Sequence, residues 1–208
     1  MKQQYTPPPK ILSNYAKVLV NFALGKKEGI AKGEVVECIV PDIAKPLALA
    51  LQNEVLRAGG HMLLRLVPTG FDKDFFSFAS HEQLTFFPAK YLKARADLID
   101  HTIAIIADVD PFELQDIDPS KLLSARDARK PYRNLLFKKE YRGKHTWTIG
   151  LWGVEAKAKL VGLSLEKYWD QIIHACFLDA TDPIAEWRKV KALQGKTRSA
   201  LNNLSIES

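Results

Sequence analysis

Two short apolar runs that flank one helical pattern constrain the fold most strongly. Residues 34–40 (EVVECIV) and His61–Val67 (HMLLRLV) are short and apolar, which is typical of buried strands. Between them, Leu47, Leu51 and Val55 recur at the spacing of one buried helical face. A strand, a helix and a strand within about 30 residues form a βαβ unit, whose two strands run parallel and are joined by a right-handed crossover.

The same alternation continues along the chain. Residues 101–107 (HTIAIIA) and 145–151 (HTWTIGL) predict a third and a fourth strand. Helical patterns precede, separate and follow the strands; they lie at residues 11–22, 89–100, 120–140 with a break near Pro131, 164–176 and from 182 onward. The sequence therefore predicts an α/β domain with a mostly parallel sheet of about four strands and helices on both faces, spanning residues 1–208 as one domain.

Polar residues and glycines mark where these helices begin and end. Asp42, Ser164 and Asp182 are predicted to cap helix starts, and Gly25 is predicted to end the first helix. Trp169 and Trp187 lie on apolar faces of the last two helices, so both are predicted to be core anchors.

Charge and hydropathy exclude several classes of partner. The net charge is +6, but Lys and Arg are scattered beside Asp and Glu, whereas a nucleic-acid-binding face concentrates them. No apolar run approaches the roughly 20 residues of a membrane helix, and the amino terminus lacks a signal-peptide pattern. We therefore expect a cytoplasmic protein that binds neither nucleic acid nor membrane.

Two fragments of known motifs are incomplete. His81-Glu82-Gln83-Leu84-Thr85 begins like the HExxH of zinc peptidases, but Thr85 stands where the second histidine belongs, so Ser80 is better interpreted as a helix cap. The residues 195–197 (GKT) resemble the end of a phosphate loop, but Val190 replaces the required glycine inside a helical pattern.

The polar loop after the third strand is the best local candidate for a cation or substrate site. It carries Asp108, Asp110, Asp116 and Asp118 at the carboxyl end of that strand, where open α/β sheets commonly bind ligands. Aspartates before proline also form turns by accepting hydrogen bonds from nearby amides. The turn interpretation is favoured, with Asp108 and Asp110 predicted to be turn formers.

No other pattern supports a catalytic, cofactor-binding or metal-binding residue. His61, His101, His145 and His174 have no Cys, Asp or Glu at catalytic spacing, and Cys38 and Cys176 lack neighbours at metal-ligand spacing.

Aromatic residues are concentrated between residues 71 and 87. This segment contains six phenylalanines, and we expect them, together with Trp152, to leave an apolar surface exposed. The six are Phe71, Phe75, Phe76, Phe78, Phe86 and Phe87.

Several short motifs in order resemble the amino-terminal half of the aminopeptidase T/S family of metallo-aminopeptidases. They are residues 14–20 (NYAKVLV), 32–34 (KGE), 46–47 (PL), 57–59 (RAG), 110–111 (DP), 117–119 (IDP), 147–149 (WTI) and 182–187 (DPIAEW). One departure is the run 150–153 (GLWG), where the family has a proline-containing turn. If that loop lines the peptide cleft, substrate preference differs from that of the family.

The resemblance implies a peptidase that removes amino-terminal residues from peptides with two divalent metal ions. In the family these ions are held by a carboxyl-terminal domain, so the resemblance assigns no catalytic, cofactor or metal residue to this chain, which we expect to be inactive alone. Residues 201–207 (LNNLSIE) resemble the junction at which that catalytic domain begins. The implied partners are the catalytic domain, a second subunit and peptide substrates. A different class remains open, namely a stand-alone domain that binds a small molecule or nucleotide.

Overall fold

A computed structural model describes residues 5–25 and 28–204, and within them four strands form one sheet. The strands are β1 (Val35–Pro41), β2 (His61–Val67), β3 (His101–Ile106) and β4 (Thr146–Leu151). The helices are α1 (Pro9–Asn21), α2 (Lys45–Arg57), α3 (Asp72–Phe78), α4 (His81–Thr85), α5 (Ala89–Leu98), α6 (Pro119–Ala128), α7 (Lys130–Tyr141), α8 (Glu155–Leu160), α9 (Leu165–Ala175) and α10 (Pro183–Asn202).

The sheet has the order β2-β1-β3-β4, and all three neighbouring pairs are parallel. The predicted α/β class and four-stranded parallel sheet are confirmed. The strand order could not be predicted, because βαβ connections fix handedness and not which edge the next strand joins.

One face of the sheet, the inner face, carries the main hydrophobic core. Val36, Cys38 and Val40 of β1 are fully buried there, because alternate residues of a strand point to the same side. Side chains from α1, α2 and α9 complete the same cluster, including Leu19, Leu51, Trp169 and Ile172.

The opposite face, the outer face, is attached to its helices through a buried ion pair. Glu37 of β1 accepts hydrogen bonds from Nε and a terminal nitrogen of Arg95 on α5, and the two side chains are only 6% and 12% exposed. The Arg95 guanidinium also lies over the Tyr132 ring of α7, 5.2 Å from its centre. Helices α5 and α7 thus hold the middle of this face, while Leu63, Ile106 and Ile149, whose register places them on it, stay exposed.

Strand β2 differs from its prediction. It was predicted to be buried, but it forms one edge of the sheet, and Met62 is its only residue that is not exposed. Its apolar composition therefore reflects an uncovered sheet edge, including Leu64 and Leu66, which are both 45% exposed.

The predicted helix ends are partly confirmed. The Ser164 side chain caps α9 by accepting a hydrogen bond from the Lys167 amide. The Asp182 side chain caps α10 by accepting a hydrogen bond from the Ala185 amide. Gly25 does not end α1, because the helix stops at Asn21. Gly25 lies in the turn that follows the helix, where it adopts a φ of +78°. Asp42 lies in a 3-10 turn before α2 and makes no cap there.

The Asp42 carboxylate instead holds the loop after β2. It accepts from the amide of Thr69 at 3.2 Å and from its hydroxyl at 3.0 Å. The residue therefore links the ends of β1 and β2, a contact that its sequence neighbours do not reveal.

The tryptophans divide between core and surface. Trp169 is fully buried, which confirms it as a core anchor, and Trp152 packs edge-on against it with ring centres 4.9 Å apart. Trp187 is only partly buried; it contacts Phe22 and Phe177 and donates to the Cys176 carbonyl oxygen at 3.2 Å.

The aromatic segment behaves largely as expected. Phe71, Phe75, Phe78 and Phe86 are all exposed, the last two by 85% and 73%. Phe76 and Phe87 are only half-buried rather than exposed. The expectation was wrong for Trp152, which is buried against the sheet because Gly153 lets the backbone approach the Trp169 ring.

No helix in the described part of the chain combines the length and apolar character needed to cross a bilayer.

The Glu37–Arg95 pair should be sensitive to loss of one partner. We expect Glu37→Gln to lower the free energy of unfolding by about 3–5 kcal/mol, because it leaves the Arg95 charge uncompensated and buried. The double variant Glu37→Leu, Arg95→Leu should cost less than Glu37→Gln alone, since no charge is then buried. Urea denaturation measures both; equal or greater loss in the double variant would contradict a buried-charge penalty.

Candidate functional site

The order of the strands places a cleft at the carboxyl ends of β1 and β3. From β1 the chain goes to β2 on one side, and it then returns past β1 to add β3 on the other side. Such a change of direction opens a crevice, which is where open α/β sheets bind ligands. A cleft of about 240 Å³ lies there, between Pro41, the residues 67–70 after β2 and the residues 105–110 around the end of β3. We call it the strand-end cleft.

Acidic side chains line this cleft, but neighbouring groups bind them. The Asp108 carboxylate lies 2.9 Å from Nζ of Lys157 on α8. Asp110 accepts from the amide of Phe112 at 2.9 Å, and Glu113 accepts from the amide of Lys73 at 3.1 Å. These contacts hold the loops of the cleft in place.

The four aspartates of the predicted site do not converge. Asp116 lies 3.6 Å from Nζ of Lys73, and Asp118 accepts from the amide of Ser120 at 2.8 Å as the cap of α6. That amide holds the pKa of Asp118 below its ordinary value. The turn interpretation is confirmed for Asp110 and Asp118. It is wrong for Asp108, which makes an ion pair with Lys157, a partner almost 50 residues further along the chain.

The described residues offer no side-chain cluster that fits a metal ion. No group of three or more His, Cys, Asp or Glu side chains able to hold a metal ion occurs in residues 5–25 and 28–204. The strand-end cleft is therefore a surface of loops fixed by hydrogen bonds and ion pairs.

Both incomplete motifs have structural roles. Ser80 and Gln83 form a reciprocal capping box at the start of α4, and His81 and Thr85 are not buried. Residues 195–197 lie inside α10 and follow no strand. The capping interpretation of Ser80 is confirmed.

A polar network that the sequence analysis missed lies at the opposite end of the sheet. His101 Nε2 is 2.8 Å from the Glu34 carboxylate, and its Nδ1 is 2.8 Å from the Thr146 hydroxyl. That hydroxyl accepts from the Gly25 amide at 3.0 Å, so its proton is free to be donated to Nδ1. Through these contacts His101 links the α1–β1 loop to β3 and β4.

His145 lies beside this network and is almost fully buried. Its Nε2 is 3.0 Å from the Thr102 hydroxyl, whereas Nδ1 has no partner among the described residues. Burial lowers the pKa of the His145 imidazole below its ordinary value, and the Lys139 ammonium lowers it further. A usable signal existed in the sequence, because His101 and His145 both stand at predicted strand starts, and the starts of parallel strands share one end of the sheet.

Comparison with known proteins decides the family. The family model described as thermophilic metalloprotease (M29) matches residues 9–208. The chain belongs to that family. A search of curated proteins finds no match.

A solved relative shares the fold of this metalloprotease-family chain. The structure titled "Wild-type AmpT from Thermus thermophilus" superposes with a TM-score of 0.70 at 20% sequence identity. The alignment covers 86% of this chain and 45% of the AmpT chain. The chain described here thus spans less than half the length of that protein.

The run that departs from the family pattern has a clear packing role. Gly150 faces Ile105 and the Tyr15 hydroxyl, and a Cβ at Gly153 would lie 2.9 Å from Nε1 of Trp169. Trp152 turns into the core, so it offers no surface to a bound peptide.

The stability of the chain should depend on pH through His145. Because the pKa of His145 is lowered by folding, the unfolded chain binds more protons than the folded chain as pH falls through the ordinary histidine range. We therefore expect the free energy of unfolding to fall from pH 7.5 to 5.5, by at most about 1.4 kcal/mol per pH unit from this group.

Urea denaturation at each pH measures this effect. His145→Gln should flatten the pH dependence, whereas His81→Gln, at an exposed position on α4, should leave it unchanged. If the free energy of unfolding changes with pH equally in the parent protein and in His145→Gln, then His145 does not cause the pH dependence.

Proposed function

We propose that residues 1–208 form the non-catalytic, amino-terminal α/β domain of a metal-dependent aminopeptidase, which removes amino-terminal residues from peptides. The observation that carries this proposal is the match to the metalloprotease family over residues 9–208 in a chain that spans only 45% of AmpT. A domain of this length leaves room in the relative for a second, larger part.

The chemistry of the described residues supports a non-catalytic role. Two-metal hydrolysis needs several carboxylate or imidazole ligands close together. Carboxylates in the strand-end cleft, such as Asp108 and Asp110, are instead bound to Lys157 and to a backbone amide. In the proposal, the two divalent ions belong to the catalytic domain, and this chain supplies a scaffold that forms part of the cleft wall.

The proposal also names partners and compartment. The partners are the catalytic domain, a second copy in a homodimer, and peptides as substrates; the protein works in the cytoplasm without nucleic acid or membrane. The motif at residues 201–207, interpreted as the start of the catalytic domain, extends past the described residues at Ser205, Ile206 and Glu207.

A nucleotide-binding function is disfavoured by the same cleft. A phosphate group needs backbone amides or cations, yet the cleft is lined by Asp72, Asp108, Asp110 and Glu113. We therefore favour the domain role over the alternative of a stand-alone binding domain.

A peptidase assay tests the non-catalytic role. We expect the 208-residue chain to show no turnover of aminoacyl-p-nitroanilides with Zn²⁺ or Co²⁺, while AmpT assayed in parallel serves as the positive control. Turnover that co-purifies with the chain and is abolished by a chelator would contradict the proposal.

The coding sequence beyond Ser208 gives an independent test of the proposal. A continuing reading frame rich in Glu, His and Asp supports the domain role, and a stop codon weakens it.

A further inference from the structure

A cavity of about 600 Å³ lies at the amino-terminal ends of β1, β3 and β4, opposite the strand-end cleft. Its walls come from three segments, at residues 29–34, 97–101 and 139–146. We call it the strand-start cavity. Its volume is in the range of sites that hold small molecules, which is about 300–1,000 Å³.

Two of the charged side chains that line the cavity are bound to its walls. Asp100 accepts a hydrogen bond from the Val35 amide at 2.9 Å. The Lys139 ammonium donates to three carbonyl oxygens at the end of α5, those of Ala96, Asp97 and Ile99, at 3.0, 3.2 and 2.6 Å. These contacts hold the walls together and use all three protons of the Lys139 ammonium.

Two other charged side chains of opposite sign remain free. Asp97 at the end of α5 and Lys144 before β4 both line the cavity and are exposed. Within residues 5–25 and 28–204, neither the Asp97 carboxylate nor the Lys144 ammonium has a hydrogen bond or an ion pair. The two charges therefore line one cavity without meeting each other, and a ligand that carries both signs can pair with both at once.

The walls also contain polar atoms that lack partners. Glu34 uses one carboxylate oxygen, Oε2, to accept from the Ala31 amide and to contact His101, which leaves Oε1 free. His145 lines the cavity and is only 5% exposed, yet its Nδ1 has no partner among the described residues. Because buried polar atoms are nearly always hydrogen-bonded, an unpartnered one in a cavity wall points to a polar ligand.

The charges select the class of ligand. A phosphate or another simple anion would meet the three carboxylates of Glu34, Asp97 and Asp100, which repel it. An apolar molecule would remove charged groups from water without pairing them. A zwitterion can instead form charge-assisted hydrogen bonds with a carboxylate and an ammonium together. A free α-amino acid is a compact molecule of this kind.

We propose that the strand-start cavity binds a free α-amino acid, whose ammonium group pairs with Asp97 and whose carboxylate pairs with Lys144. This site goes beyond the proposed function, which assigns no small-molecule ligand to these residues. An aminopeptidase releases molecules of this class, but the cavity alone carries the inference. Binding is measured by titration and the domain role by the peptidase assay, so a failure of either leaves the other untouched.

NMR titration of the 208-residue chain with L-leucine, L-phenylalanine, L-glutamate and L-lysine tests the site. We expect at least one of them to bind with a dissociation constant of about 1 mM or tighter. Binding should shift the imidazole resonances of His101 and His145, which line the cavity, and leave those of His81 on α4 unchanged. If none binds below about 10 mM, or if binding leaves His101 and His145 unmoved, the proposal is overturned.

Two variants test the assigned charges. Asp97→Asn and Lys144→Ala should each raise the dissociation constant at least about tenfold, because each removes a charge-assisted hydrogen bond to the ligand. Asp74→Asn and Lys138→Ala change exposed side chains that do not line the cavity, and these matched controls should bind as the parent protein does. Circular dichroism confirms that each variant is folded. Unchanged affinity in Asp97→Asn and Lys144→Ala would overturn the assignment.

Analogues of the ligand supply the decisive comparison. The amino-acid amide lacks the carboxylate and the desamino acid lacks the ammonium group, so both should bind the parent protein at least about tenfold more weakly. In Lys144→Ala the loss caused by the amide should disappear, and in Asp97→Asn the loss caused by the desamino acid should disappear. General damage to the cavity does not predict this matching of variant and analogue. Losses that are the same in the parent protein and in both variants overturn the proposal.

Discussion

A parallel sheet needs cover on both faces, and this chain covers its two faces by different means. The inner face carries a dry cluster in which β1 supplies Val36, Cys38 and Val40 and the helices supply larger side chains such as Trp169. The outer face depends on Glu37 and Arg95, since their buried pair attaches α5, and through Tyr132 also α7, to the middle of the sheet. Burying two charges is costly, so this contact is strong only while both partners are present. Elsewhere on the outer face, Leu63, Ile106 and Ile149 stay exposed.

This unequal cover explains where the chain exposes apolar surface. Leu63 on β2 and Trp147 and Ile149 on β4 remain exposed, because α5 and α7 cover only the middle of the outer face. The strand-end cleft is closed differently, by polar loops that Asp42, Asp110 and Glu113 fix through hydrogen bonds to backbone amides. The described chain therefore has hydrogen-bonded polar groups at both ends of the sheet and exposed apolar side chains on its outer face.

Structural features that depend on residues close together in the sequence were predicted correctly. The β-branched runs, the helical spacing of Leu47, Leu51 and Val55, and the caps at Ser80 and Ser164 each depend on residues a few positions apart, and the structure confirms them. Contacts between distant residues were missed. Examples are the ion pair of Asp108 with Lys157 and the linkage of Glu34, His101 and Thr146, which arise only when separate strands meet at one end of the sheet. Strand β2 was misjudged for a related reason, because apolar composition does not reveal whether a strand lies at the edge.

The central claim is that this chain is the scaffold of a metalloprotease-family protein and lacks a metal centre of its own. Calorimetric titration of the 208-residue chain with Zn²⁺ and Co²⁺ tests it most directly, since a set of three or more protein ligands binds such ions tightly and in fixed stoichiometry. The account predicts no stoichiometric binding at micromolar metal. One or two equivalents bound with micromolar or tighter affinity would contradict it.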